Sequence, residues 1–144
     1  MDITIREIER RDYQEVLSLW INELNFQAVN SENIEIHHER VREDDRYKTF
    51  VALHEDKVVG FVTSVQSFAV GFEVGFIHLT GIAVKSELQN KGIGTRLLKH
   101  IEAYGKARGV YNIILNSGVK RTDAHAFYER NGYDKGSWCF SKRL

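Results

Sequence analysis

Apolar and polar residues alternate along ITIREI (Ile3 to Ile8), the period-two signature of a strand with one buried face. The period then lengthens. Val16, Leu17, Trp20, Ile21 and Leu24 fall on one face of a helix, and Asp12 with Glu15 forms a capping-box pattern for its start. The pattern breaks around Asn30 and Ser31, and a weaker helix is predicted from there through Val41. Two β-rich runs in TFVALHEDKVVGFVTSVQ, joined near Glu55 and Asp56, predict a hairpin. FEVGFIHLTGIAV predicts a further long strand, in which Gly75 and Gly81 mark bulges or close backbone approach. Ile93, Leu97, Leu98, Ile101 and Tyr104 line the next helix, ended by Gly109 after Lys106 and Arg108. YNIILN reads as a short buried strand. Thr122 or Asp123 can cap a final helix carrying Ala124, Phe127 and Tyr128, which stops near Gly132. YDKGSWCFSKRL reads as a closing strand or two. The predicted order β-α-α-β-β-β-α-β-α-β describes an α/β fold, a mixed central sheet flanked by helices, in a single domain over residues 1–144.

Composition narrows the function classes. The chain is 42% apolar and 28% charged with zero formal net charge, so nothing in the global charge points to nucleic acid. No stretch approaches the ~20 apolar residues of a membrane helix. The charged start, MDITIREIERRDY, has no apolar core of a secretory signal, and a cytoplasmic location is the default expectation. Cys139 is the only cysteine, which rules out an internal disulfide and a four-cysteine zinc site; no metal is expected. Glu32, Glu35, Glu39, Glu43, Asp44 and Asp45 stand against Arg40 and Arg42 alone. Such a run is either a solvated helix face or an attractor for a cationic substrate.

The stretch QNKGIGTRLL carries candidate chemistry. A Rossmann fingerprint starting at Gly92 would need glycine where Leu97 stands, and a Walker loop would need lysine between Gly94 and Thr95. Both fail. What remains is a strand, a turn with Gln89-x-x-Gly92-x-Gly94, and a helix. Backbone N–H groups from Lys91 to Thr95 would point outward at a helix N-terminus, where the macrodipole favours an anion.

IAV (Ile82 to Val84), then Gln89-x-x-Gly92-x-Gly94, then an amphipathic helix resembles motif A of the GNAT N-acetyltransferase superfamily. AHAFYERNGY (Ala124 to Tyr133) is similar to that superfamily's second signature, A-x-x-x-Y-x-x-x-G-[FY]. The resemblance implies the GNAT acyl-CoA N-acyltransferase fold and acetyl-CoA as co-substrate. It implies a pyrophosphate over Lys91, Gly92, Ile93, Gly94 and Thr95, bordered by Gln89 and Asn90, and a pantetheine arm paired with Ile82, Ala83 and Val84 like an added strand. Tyr128 matches the acid that protonates the leaving thiolate, and the N–H of Val84 would polarise the thioester oxygen. For the base, counting eleven residues back from Gln89 gives His78; Glu73 is the second choice, and a solvent relay the third. Two departures stand out. Ser86 occupies a position where relatives often carry proline, and the chain has no proline at all. Arg121 stands where asparagine is common, and Asn116 is a candidate for that missing cofactor contact. The implied reaction is direct attack of a primary amine on acetyl-CoA through a tetrahedral intermediate. The acidic run leans toward a small cationic acceptor. Protein N-termini or lysines, a non-catalytic acyl-CoA-binding module, and a ligand-free protein-binding or structural domain are the alternatives. Family habit also implies a homodimer, through the final strands around Trp138 and Phe140; neither nucleic acid nor a membrane is an expected partner.

Overall fold

A computed structural model describes residues 1–144. Its elements run β1 (Thr4–Glu7), α1 (Tyr13–Asn22), α2 (Ser31–Val41), β2 (Tyr47–His54), β3 (Lys57–Ser67), β4 (Phe76–Val84), α3 (Ile93–Ala107), β5 (Ile113–Leu115) and α4 (Thr122–Arg130), with short 3-10 turns at Arg10–Asp12 and Ser86–Leu88. The chain forms two compact units, Met1–Ile114 and Leu115–Leu144.

The five strands lie in the order β1-β2-β3-β4-β5. The first four pair antiparallel. β5 returns through α3, the crossover that parallel neighbours require, so the sheet is mixed. Glu55 and Asp56, at φ 51° and 63°, make the two-residue turn between β2 and β3 in the left-handed region, which Asp adopts more readily than Glu. Alternation along the strands gives the sheet two apolar faces. Val51, Phe61 and Ala83 meet Val16, Leu17 and Ile34 of α1 and α2 on one of them. On the other, α3 packs across β2, β3 and β4 with Leu97, Leu98 and Ile101 fully buried.

The C-terminal ends of α3 and α4 and the start of α2 follow the sequence reading, whereas Arg121, not Thr122 or Asp123, is the N-cap of α4. Gly109 takes φ 80°, and Val110 and Gly109 donate back to the carbonyls of Gly105 and Lys106, closing α3 in a Schellman motif. Gly132 ends α4 in the same way, with Tyr133 donating to Tyr128. Asn30 and Asn33 exchange side-chain to backbone bonds of 2.8 and 2.9 Å at the start of α2.

Two further expectations need correction. Asp12 and Glu15 do not cap α1. The Asp12 carboxylate instead takes a bidentate bond from Arg6 (2.7 and 3.0 Å) and the Glu9 N–H, and Glu15 accepts the N–H of Val58 at 3.2 Å. Burial pushes the Asp12 carboxyl up, but the bonds from Arg6 and Glu9 outweigh it and hold it below its ordinary value. The predicted closing strand is also absent: α4 is the last element, and Trp138 and Phe140 lie 77% and 93% exposed. Their alternating pattern suits a strand, but a strand forms only against a neighbouring ladder.

Candidate active site

The site grows out of β4. Along β3 its register runs Gly60↔Val84, Phe61↔Ala83, Val62↔Ile82 and Thr63↔Gly81, then shifts so that Ser64 faces Leu79. Thr80 is the extra residue of that bulge. Lys85 donates to Val59 at 2.8 Å, which makes Gly60↔Val84 a non-hydrogen-bonded pair and Phe61↔Ala83 a hydrogen-bonded one. The backbone groups of Ala83 are therefore taken by β3, while those of Ile82 and Val84 face the opposite edge. On that edge β5 is three residues long and sits near the start of β4, where Ile77 donates to Asn112. The Ile82–Val84 end carries no ladder there. Gly81 is required by packing: a Cβ there would lie 2.5 Å from Cη2 of Trp20.

Beyond β4 the Ser86–Leu88 turn leads to Gln89, whose Nε2 donates to the Val84 carbonyl at 3.0 Å. Asn90 and Gly92 take left-handed φ of 62° and 83°. Gly92 is the N-cap of α3 and supplies no side-chain acceptor. The first α3 bond is Arg96 to the Gly92 carbonyl, so the N–H groups of Ile93, Gly94 and Thr95 have no intrahelical acceptor. A Cβ on Gly92 would meet nothing within 4 Å, and Gln89, Asn90 and Lys91 are exposed. Free N–H groups, open space and one lysine fit a diphosphate, and the unladdered edge at Ile82 and Val84 fits an extended amide chain leading to it.

His78 projects from the other end of β4, in a cross-strand row with Val65 and Tyr47. The next row on the same face is Thr49, Thr63 and Gly81; the Thr49 and Thr63 hydroxyls bond at 2.6 Å. Over this face opens a cavity of about 410 Å³ lined by Tyr47, Thr49 and Thr63 of the sheet, Tyr13 of α1, and His37 and His38 of α2. Two strand spacings, about 10 Å, separate Tyr47 from His78. Glu73 lies outside β4, in the turn before it.

The cavity wall is electrostatically tied. Tyr13 donates to Glu39 at 2.8 Å, and Arg10 reaches the same carboxylate at 2.9 Å. These bonds, Arg10 first, hold Glu39 down at about 2; burial and Glu39 push Tyr13 up to about 12. His38 stacks on Tyr13 with ring centroids 5.0 Å apart, and burial pulls its imidazole down to about 4. Burial, with Arg40 adding to it, lowers His37 as well. The acidic run is accordingly not a free face: Asp44 pairs with Arg46 and Asp45 with Arg108. Sequence reasoning missed Tyr13 and His38 because the cavity draws on separate elements, and it singled out Glu39 only as one member of the acidic run.

In the second unit, Tyr128 is half-buried on α4, its ring 5.4 Å from Phe127 and 6.2 Å from Tyr133. Burial raises its hydroxyl above the ordinary value, against a lowering from Arg121. Arg121 is the exposed N-cap of α4, and Asn116 follows β5, also exposed.

An open strand edge runs into a helix N-terminus that has no side-chain cap, a geometry that suits an extended ligand ending in phosphate. The Acetyltransferase (GNAT) family model matches residues 4–133, and the chain belongs to that family. An aminoalkylphosphonate N-acetyltransferase of Salmonella typhimurium is 29% identical over 65% of this chain and 61% of its own. The N-alpha-acetyltransferase 30 of Schizosaccharomyces pombe is 34% identical over 67% and 60%. The chain thus spans about three-fifths of the length of these relatives. Among solved structures, AAC(6')-Iy in complex with the bisubstrate analog CoA-S-monomethyl-acetylneamine aligns over 100% of this chain and 99% of its own, at a TM-score of 0.86 and 14% identity. A GNAT family acetyltransferase of Staphylococcus aureus covers both chains fully at a TM-score of 0.81 and 23% identity. These likenesses share the fold. No helix is long and apolar enough to cross a membrane.

Proposed function

We propose that the chain is an acetyl-CoA-dependent N-acetyltransferase acting on the primary amine of a small molecule. The observation that carries this reading is the continuity of the Ile82–Val84 edge with the free N–H groups of Ile93–Thr95. Acetyl transfer needs a neutral amine, a donor to the thioester oxygen and a proton for the departing sulfur. The N–H of Val84 faces the open edge and is the candidate donor. His78 is the candidate base, on the sheet face that floors the cavity, and the cavity is the seat we assign to the acceptor. Tyr128 is the candidate acid; its raised pKa keeps the hydroxyl protonated at neutral pH. With much of the acidic run paired to arginine, the cavity and not that run carries the acceptor reading. The aminoalkylphosphonate relative supports a small molecule. The S. pombe relative favours a second reading, a polypeptide N-terminus.

The test is release of CoA thiol from acetyl-CoA with a panel of small amines and short peptides. Turnover on small amines is the expected outcome; turnover on peptides alone supports the second reading. Tyr128→Phe should lower kcat at least ~100-fold while acetyl-CoA still binds. Acetyl-CoA binding without turnover on any amine would leave a non-catalytic module, and unchanged activity of the Phe variant would remove Tyr128 as the acid.

A further inference from the structure

The turn that leaves β4 has no proline to fix it, and Ser86 begins it. We propose that the last turn of α1 positions the cofactor strand and its loop, with Glu23 as the positioning residue that takes proline's place. The inference rests on the acetyl-CoA reading above.

Glu23, the C-cap of α1, lies 63 residues before Ser86 and receives both of its donors. Its Oε2 accepts the Ser86 hydroxyl at 2.6 Å and its Oε1 the Ser86 N–H at 3.2 Å. One carboxylate thereby caps the 3-10 turn whose next residues are Gln89 and the helix N-terminus. Three positions earlier Trp20 rests on Gly81, its ring also 5.1 Å from Phe61 and 5.5 Å from Phe26. The last turn of α1 therefore grips the chain at Gly81 and again at Ser86. Between those grips lie Ile82 and Val84, the two residues whose backbone groups face the open edge. A carboxylate near an anion cradle is electrostatically unfavourable for a diphosphate. Its value here is geometric, and that separates two substitutions: Glu23→Ala removes the acceptor, while Glu23→Gln removes the charge and keeps an acceptor oxygen. The backbone also offers a rescue. Lys85 has φ −50° and ψ 135°, the extended conformation that precedes proline readily, and Ser86 is the first residue of its turn. Ser86→Pro would set that turn without Glu23.

The experiment is titration calorimetry of CoA against the wild type, Glu23→Ala, Glu23→Gln and the Glu23→Ala/Ser86→Pro double variant, each checked for folding by circular dichroism. Glu23→Ala should weaken CoA about tenfold, equivalent to ~1.4 kcal/mol. Glu23→Gln should stay within about threefold of wild type, and the double variant should recover most of the loss. Equal binding by wild type and Glu23→Ala, or a double variant as weak as Glu23→Ala, would overturn the inference while the cofactor reading stands. A folded wild type that binds no CoA would overturn both.

Discussion

The buried imidazole of His38 makes stability fall in weak acid. His38 is 7% exposed, stacked on Tyr13 and faced by His37, and the charge of Glu39, itself paired with Arg10, also acts on it. Its folded pKa of about 4 lies below the ordinary 6.5, so between these values the unfolded chain binds the proton and the folded chain does not. Stability is therefore complete above pH 6.5 and declines as the pH falls toward 4. Proton linkage with these two values gives a loss of about 2 kcal/mol at pH 5 relative to pH 8, approaching ~3 kcal/mol at pH 4. For a chain of this length the pH 5 loss corresponds to a drop in Tm of roughly 8 °C. His37, lowered by burial, adds in the same direction. Glu39 acts in a separate, more acidic window: its depressed carboxyl contributes stability above 4.5 that is lost as the pH falls toward about 2. His38→Phe keeps a ring against Tyr13 and removes the titration. Urea melts of both proteins at half-unit steps from pH 8 to 4.5 should diverge below pH 6.5, the wild type losing stability and the variant staying flatter. Parallel curves would refute the assignment to His38.

The remaining predictions test packing and pairing. Gly81→Ala places a Cβ 2.5 Å from the Trp20 ring end and should cost about 2 kcal/mol in urea melts, with part of that recovered by adding Trp20→Phe. Asp12→Asn breaks the bidentate pair with Arg6 at a site 3% exposed and should cost roughly 3 kcal/mol at pH 7, a difference that shrinks as the wild-type carboxyl is itself protonated at low pH.

What the sequence made legible follows from the range of the forces involved. The β2–β3 hairpin, the apolar face of α3 and the glycine ends at Gly109 and Gly132 depend on residues within a turn or two, and the period of the pattern carries that information. The loop and helix start of the candidate cradle were legible for the same reason: Gln89, Gly92 and the start of α3 adjoin one another. Asp12 and Glu15 had the spacing of a helix cap, yet each was claimed by a stronger distant partner, Arg6 across the first turn and Val58 at a separation of 43 residues. Tyr13 with Glu39 and Glu23 with Ser86 are 26 and 63 residues apart, so neither pair leaves a periodic trace. The acidic run shows the same limit from the other side. Its composition suggested a cation site, but Arg10, Arg46 and Arg108, all outside the run, pair with its Glu39, Asp44 and Asp45. Local pattern thus located the candidate cofactor cradle, whereas the candidate acceptor side is written in contacts between elements. The acceptor side we propose is the cavity between α2 and the sheet, where Tyr47, Thr49 and Thr63 form the floor and His78 lies farther along the row of Tyr47.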